Sequence, residues 1–129
     1  MMRKNTHKPK GIKYDADKPR FDLIPVYPLF KLAELYAAGA KKYGNRQWEG
    51  GMNVTRLWRA LMSHALKYSA GENDDAQLKT HHLSMVMWYC CAILEIEITH
   101  PELDDRIKNN AFTKMKAKYE KESKKTNTN

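Results

Sequence analysis

Positions 71–82 read GENDDAQLKTHH and pack Glu72, Asp74, Asp75, His81 and His82 into one short stretch. Carboxylates and imidazoles at this density are what a divalent cation uses as ligands and what a general base uses to move a proton. On a helical turn Glu72 and Asp75, three positions apart, share a face. His82 opens the apolar segment that follows, and His64 lies about two turns before the end of the preceding one. The expected metal ligands are Glu72, Asp75 and His82. His64, as base or ligand, and Glu72 are the expected catalytic residues. Carboxylate oxygens suit Mg or Mn, and imidazole widens the choice towards Mn, Zn or Fe. The competing account is a polar corner: acidic residues before a helix N-terminus are favoured by the macrodipole, and Asp74 or Asp75 could simply cap the next helix.

Three further stretches carry cations and rings. KYDADKPRFDLIP places Lys13, Lys18 and Arg20 on an arm before the first helix. Such cations can clamp phosphate, Arg bidentately. GAKKYGNRQW gathers Lys41, Lys42, Tyr43, Asn45 and Trp48 around two glycines. There a ring can stack on a base and Asn can read its edge. TRLWRALMSH sets Arg56 and Arg59 one turn apart, facing either a cleft or solvent. The expected substrate contacts are Lys18, Arg20, Lys42, Tyr43, Asn45, Trp48 and Arg56. No Gly-rich phosphate loop, serine elbow or CxxC pair is present.

The elements that must position these groups are helical. From Leu29 the apolar residues Leu32, Ala33, Leu35 and Tyr36 recur at three and four spacing, behind Pro25 and Pro28 and ahead of Gly44. A second helix, capped by Asn53 or Thr55, carries Leu57, Leu61, His64 and Tyr68 on one stripe and stops at Gly71. A third starts near Thr80 and is apolar almost all round up to Leu94, the pattern of a central bundle helix. Pro101 marks the break before a fourth, charged helix running from PELDDRIKNN onwards. The expected fold is all-α: a small bundle of three long helices plus a C-terminal helix, with an extended basic N-terminal arm. The expected divisions are a basic arm at 1–20, a helical nucleotide-binding domain at 21–105, and a basic helix with a frayed tail at 106–129.

Charge follows these divisions. The chain of 129 residues carries a net +8, but the arm holds +5, residues 106–129 hold +6 and the body holds −3. Basic ends without interleaved aromatics argue against nucleic acid as partner. Adjacent Cys90 and Cys91 diverge on a helix and read as buried free thiols, which fits a reducing cytoplasm. MMRKNTHKPK lacks the apolar core of a secretory signal, and no membrane span is expected. A short bundle with one very apolar helix is expected to self-associate.

The ordered series GIKYDADKPRFDLIP, GAKKYGNRQW, RLWRALMSHALKYSAGENDD and HHLSMVMWY resembles phage dATP/dGTP diphosphohydrolases from about Gly11 to Glu97. These are linked to MazG-type nucleotide pyrophosphohydrolases, which are α-helical, oligomeric and Mg- or Mn-dependent. The resemblance implies a cytoplasmic enzyme, in the host if phage-encoded. It would convert a purine deoxynucleoside triphosphate to monophosphate and pyrophosphate. MazG-type enzymes hold metal with an ExxE pair on one helix and an ExxD pair on the next. Here Glu72 and Asp75 give the ExxD spacing, but the body has no ExxE and offers His64 instead. The alternative is a non-catalytic protein that binds and sequesters a nucleotide signal.

Overall fold

The computed structural model describes Arg3, Lys4 and residues 6–126; the tail end at 127–129 lies outside the described residues. Four α-helices follow in order: α1 Val26–Tyr43, α2 Val54–Ser69, α3 His82–Thr99 and α4 Ala111–Thr126. Short 3-10 turns at Phe21–Leu23, Gln47–Gly50 and Pro101–Leu103 join them, and no strand forms among the described residues. The expected all-α bundle is the observed architecture. Arg3, Lys4 and residues 6–20 form an exposed, non-helical arm.

α1 begins behind Pro25 and tolerates Pro28 in its first turn, where no intrahelical N–H is needed. It ends at Gly44, whose φ of 97° lets its N–H reach Ala40 O at 2.8 Å. The inward stripe is Leu32, Leu35, Tyr36 and Gly39, while Leu29 and Ala33 face outward. α2 ends in a Schellman motif: Glu72 N–H donates to Lys67 O at 3.1 Å and Gly71 N–H to Tyr68 O at 3.0 Å. Gly71 supplies the required left-handed φ of 97°.

α1 and α2 both pack on α3, which makes α3 the centre of the bundle and explains its apolarity on most faces. By length and composition alone α3 would also pass for a membrane span, a test that central helices share. Val54 and Leu57 from the start of α2 meet Ala92 and Ile96 from the end of α3, so the two helices run antiparallel. Trp48, Met52, Trp88, Tyr89, Ile93 and Leu103 close over this core.

Three local expectations change. The N-terminus of α2 is not capped by its own Asn53 or Thr55 side chain. Instead, Asp105, fifty residues on, accepts from Thr55 N at 2.9 Å and Thr55 Oγ1 at 2.6 Å. The fourth helix starts at Ala111 rather than Pro101, because Pro101–Leu103 form a single 3-10 turn and Asp104 and Asp105 are drawn into side-chain bonds. Cys90 is exposed rather than buried, and Cys91 is half-buried; both are free thiols.

Candidate metal centre and nucleotide cleft

The loop between α2 and α3 is built to hold its acidic and imidazole residues in fixed places. Asp74 and His81 form an isolated antiparallel bridge, and His82 N–H donates to Asn73 O at 2.8 Å. Asp75 pairs with Thr80 through the backbone, while its Oδ1 accepts from Gln77 N at 2.9 Å and Leu78 N at 2.8 Å. These N–H groups, Leu78 first, hold the Asp75 carboxyl below its ordinary pKa. Residues 72–81 are therefore not helical, and Glu72 and Asp75 do not share a helical face. Neither Asp74 nor Asp75 caps α3. His81 does so, its Nδ1 accepting from Leu83 N at 3.0 Å.

The antiparallel packing brings His64 to the same point. His64 Nδ1 lies 2.9 Å from His82 Nδ1, both rings buried. One ring must donate to the other, a tautomer choice set by the pair. Burial first, then the neighbouring His82, lowers the His64 pKa and favours the neutral ring. His64, Asp75 and His82 present ligand atoms all within 4.8 Å of one another, a group able to hold a metal ion. Glu72 stands at the rim: its Oε2 is 3.6 Å from His82 Nε2, too far for a hydrogen bond. His82 Nε2 is buried with no hydrogen-bond partner among the described residues.

This cluster adjoins a cleft of about 1200 Å³ between α1, α2 and α3. Tyr89 stacks on His64 with centroids 6.1 Å apart and also lines the cleft, as do Leu78 and Thr80 of the α2–α3 loop. Tyr36, Trp48 and Trp88 form a ring cluster in its wall, with centroids 5.9–6.2 Å apart. Burial, and then Cys91, push the Tyr36 hydroxyl up to about 12. Lys42, Tyr43, Asn45, Trp48 and Arg56 all line this space, so these expected contacts are brought together. Lys42 sits over the Tyr43 ring at 5.0 Å.

Lys18 and Arg20 are not brought to it. Both are exposed on the arm, neither lines the cleft, and Arg20 is held by Asp22 at 2.6 Å, the ion pair that raises its pKa. Arg59 lines the cleft beside Arg56, and neither has an acidic partner among the described residues. The sequence signal for Arg59 was its spacing from Arg56, three apart on α2 and off the Leu57–Leu61–His64 stripe. Trp88 gave no such signal, because it sits in a segment apolar throughout.

Against known families, residues 8–106 match the model for dATP/dGTP diphosphohydrolase, N-terminal. The chain belongs to that family. The family match spans the arm from residue 8 and the helical body through Arg106. A dATP/dGTP diphosphohydrolase of Salmonella phage PMBT28 is 29% identical over 96 residues, covering 74% of this chain. The chain spans 33% of that relative's length. No solved structure matches.

Proposed function

We propose that this member of the dATP/dGTP diphosphohydrolase N-terminal family binds a purine deoxynucleoside triphosphate in the α1–α2–α3 cleft. There it hydrolyses the nucleotide to monophosphate and pyrophosphate with a divalent cation. The observation that carries this is the junction of two unlike surfaces. An aromatic-walled cleft, with two guanidinium groups that have no acidic partner among the described residues, lies beside a two-histidine, one-carboxylate cluster, Tyr89 lining the cleft and stacking on His64.

The roles follow from chemistry. A triphosphate brings several negative charges, and Arg56, Arg59 and Lys42 are the cations free to meet them. Asn45 can hydrogen-bond a base edge, and Tyr43 and Trp48 offer ring faces at the same end of the cleft. His64, Asp75 and His82 are the residues that would hold the cation, and Glu72 would orient His82. The donor set fits a divalent ion: two imidazole nitrogens and one carboxylate, beside a buried nitrogen, His82 Nε2, with no hydrogen-bond partner among the described residues. When bound, the cation supplies charge for the phosphate oxygens and lowers the pKa of coordinated water. His64 then acts as a ligand and not as a free base. The bond broken is that between the α-phosphorus and the oxygen leading to the β-phosphorus, with water as nucleophile.

Acting on the deoxynucleotide pool, the proposed enzyme would work in the cytoplasm. Self-association belongs to the same proposal. Leu94 and Ile98 on α3 are 64% and 83% exposed. The test is a panel of dATP, dGTP, dCTP and dTTP with Mg or Mn, products read by mass spectrometry. Monophosphate and pyrophosphate from the purine nucleotides are expected. Tight purine nucleotide binding with no product in any metal would replace hydrolysis by sequestration.

A further inference from the structure

We propose that His64, Asp75 and His82 form a site selective for a first-row transition cation over Mg, ligated through the two facing Nδ1 atoms and the Asp75 carboxylate. Glu72 is its positioning residue. This site is the one used in the proposed hydrolysis, but the metal preference rests on the donor set alone.

The donor set decides the preference. Mg demands oxygen ligands and keeps its waters, whereas imidazole suits Mn, Fe, Co and Zn. An all-oxygen site at this corner would need several carboxylates turned inward. Asp74 is exposed and tied into the bridge with His81, and Glu72 lies outside the group of three. Two of the three ligand atoms brought together are imidazole nitrogens. Two ring nitrogens bound to one ion at about 2.0–2.1 Å lie about 2.9 Å apart at a right angle and about 3.3 Å apart at the tetrahedral angle. The His64 and His82 Nδ1 atoms are 2.9 Å apart. Asp75 is held in place by Gln77 N–H and Leu78 N–H on the same side chain that would bind the ion.

The partnerless atom fits the same arrangement. Ligation through Nδ1 leaves the His82 proton on Nε2, the buried nitrogen with no hydrogen-bond partner. The Glu72 carboxylate, 3.6 Å away and on an exposed side chain, closes that gap with a small rotation. A ligating histidine that donates its other N–H to a carboxylate is fixed in tautomer and made more basic.

The test uses the full chain without nucleotide. Co²⁺ is titrated in and followed by visible absorption, then challenged with a large excess of Mg²⁺. Expected is one Co²⁺ per chain, not displaced by Mg²⁺ and displaced by Zn²⁺. Displacement by Mg²⁺ at comparable concentration, or no Co²⁺ spectrum at all, overturns the proposal. His64→Asn and Asp75→Asn should each abolish the spectrum. Circular dichroism confirms that they fold, and the wild-type competition stands if either does not. Glu72→Ala should weaken Co²⁺ roughly 10- to 100-fold, and Glu72→Gln, which keeps an acceptor, less. Unchanged Co²⁺ affinity in Glu72→Ala overturns the positioning role. Hydrolysis is measured in parallel. Tight Co²⁺ binding without hydrolysis supports the site and counts against the enzyme. Hydrolysis in Mg²⁺ with no Co²⁺ binding overturns the site and leaves the enzyme standing.

Discussion

Single residues on this chain divide by whether a partner already holds them. Arg20 reads in the sequence like a phosphate clamp, but Asp22 two positions away takes both its Nε and a terminal nitrogen. Arg56 and Arg59 have no such partner among the described residues and line the cleft. Arg59→Ala should therefore weaken purine nucleotide binding roughly 10- to 100-fold, the scale of a charged hydrogen bond. Arg20→Ala should leave it unchanged. Isothermal titration with a non-hydrolysable dGTP analogue reads both. Equal losses in the two variants would return the arm to the site. Asn45 and Trp48 are separable in the same way: Trp48 is part of the core closure, so Trp48→Ala should lower the melting temperature as well as the affinity. Asn45→Ala should touch affinity alone.

Helices and turns here are tied down by residues far along the chain. α2 receives its N-terminal cap from Asp105, whose carboxyl lies below its ordinary 3.8 because the Thr55 hydroxyl and N–H donate to it. Beside it Arg106 pulls Asp104 down to about 2. A depressed carboxyl stabilises the fold above its unfolded pKa and loses that contribution as pH falls through the folded value. Asp105→Ala should thus lower the melting temperature at neutral pH. The difference from wild type should close as pH drops below about 3.8. Thermal melts at pH 7 and pH 3 decide it, and a gap that persists in acid would mean the cap is not ionic. The turn at Gly51 is the second such tie. Its φ of 99° favours glycine, and a Cβ there would meet Leu103 Cδ1 at 2.6 Å. Gly51→Ala should cost roughly 1–3 kcal/mol of stability, read by urea denaturation.

The whole molecule is open. Every described residue of α4 is exposed, and the helix buries none of its side chains. Ending the chain after Asn110 should leave the melting temperature unchanged for that reason. The body differs: it leaves Leu94, Ile98, Leu66 and Phe30 largely exposed, in line with the proposed self-association. Sedimentation at micromolar concentration should give more than one copy per particle. Leu94→Lys together with Ile98→Lys should shift that particle to monomers while each chain stays helical. A wild-type monomer at those concentrations would remove self-association from the proposal.

By itself the sequence determined α1, α2 and α3, because their signals are local. Pro25, Gly44, Gly71 and Pro101 punctuate three- and four-spaced apolar runs, and each lies at or beside an observed boundary of α1, α2 or α3. The family was legible too, in motifs spread over most of the body. What the sequence lacked was the outcome of competition between partners. ENDD looked like two carboxylates on one helical turn, but Gly71 ends α2, and the backbone N–H groups of Gln77 and Leu78 claim Asp75. The fourth helix looked continuous from Pro101, yet Asp104 and Asp105 make stronger bonds outside a helix than within one. Only tertiary structure set His64 against His82, eighteen residues away, because that meeting depends on how α2 folds back along α3. Periodicity states which face of a helix turns inward; the packing of two helices decides which residues of those faces meet.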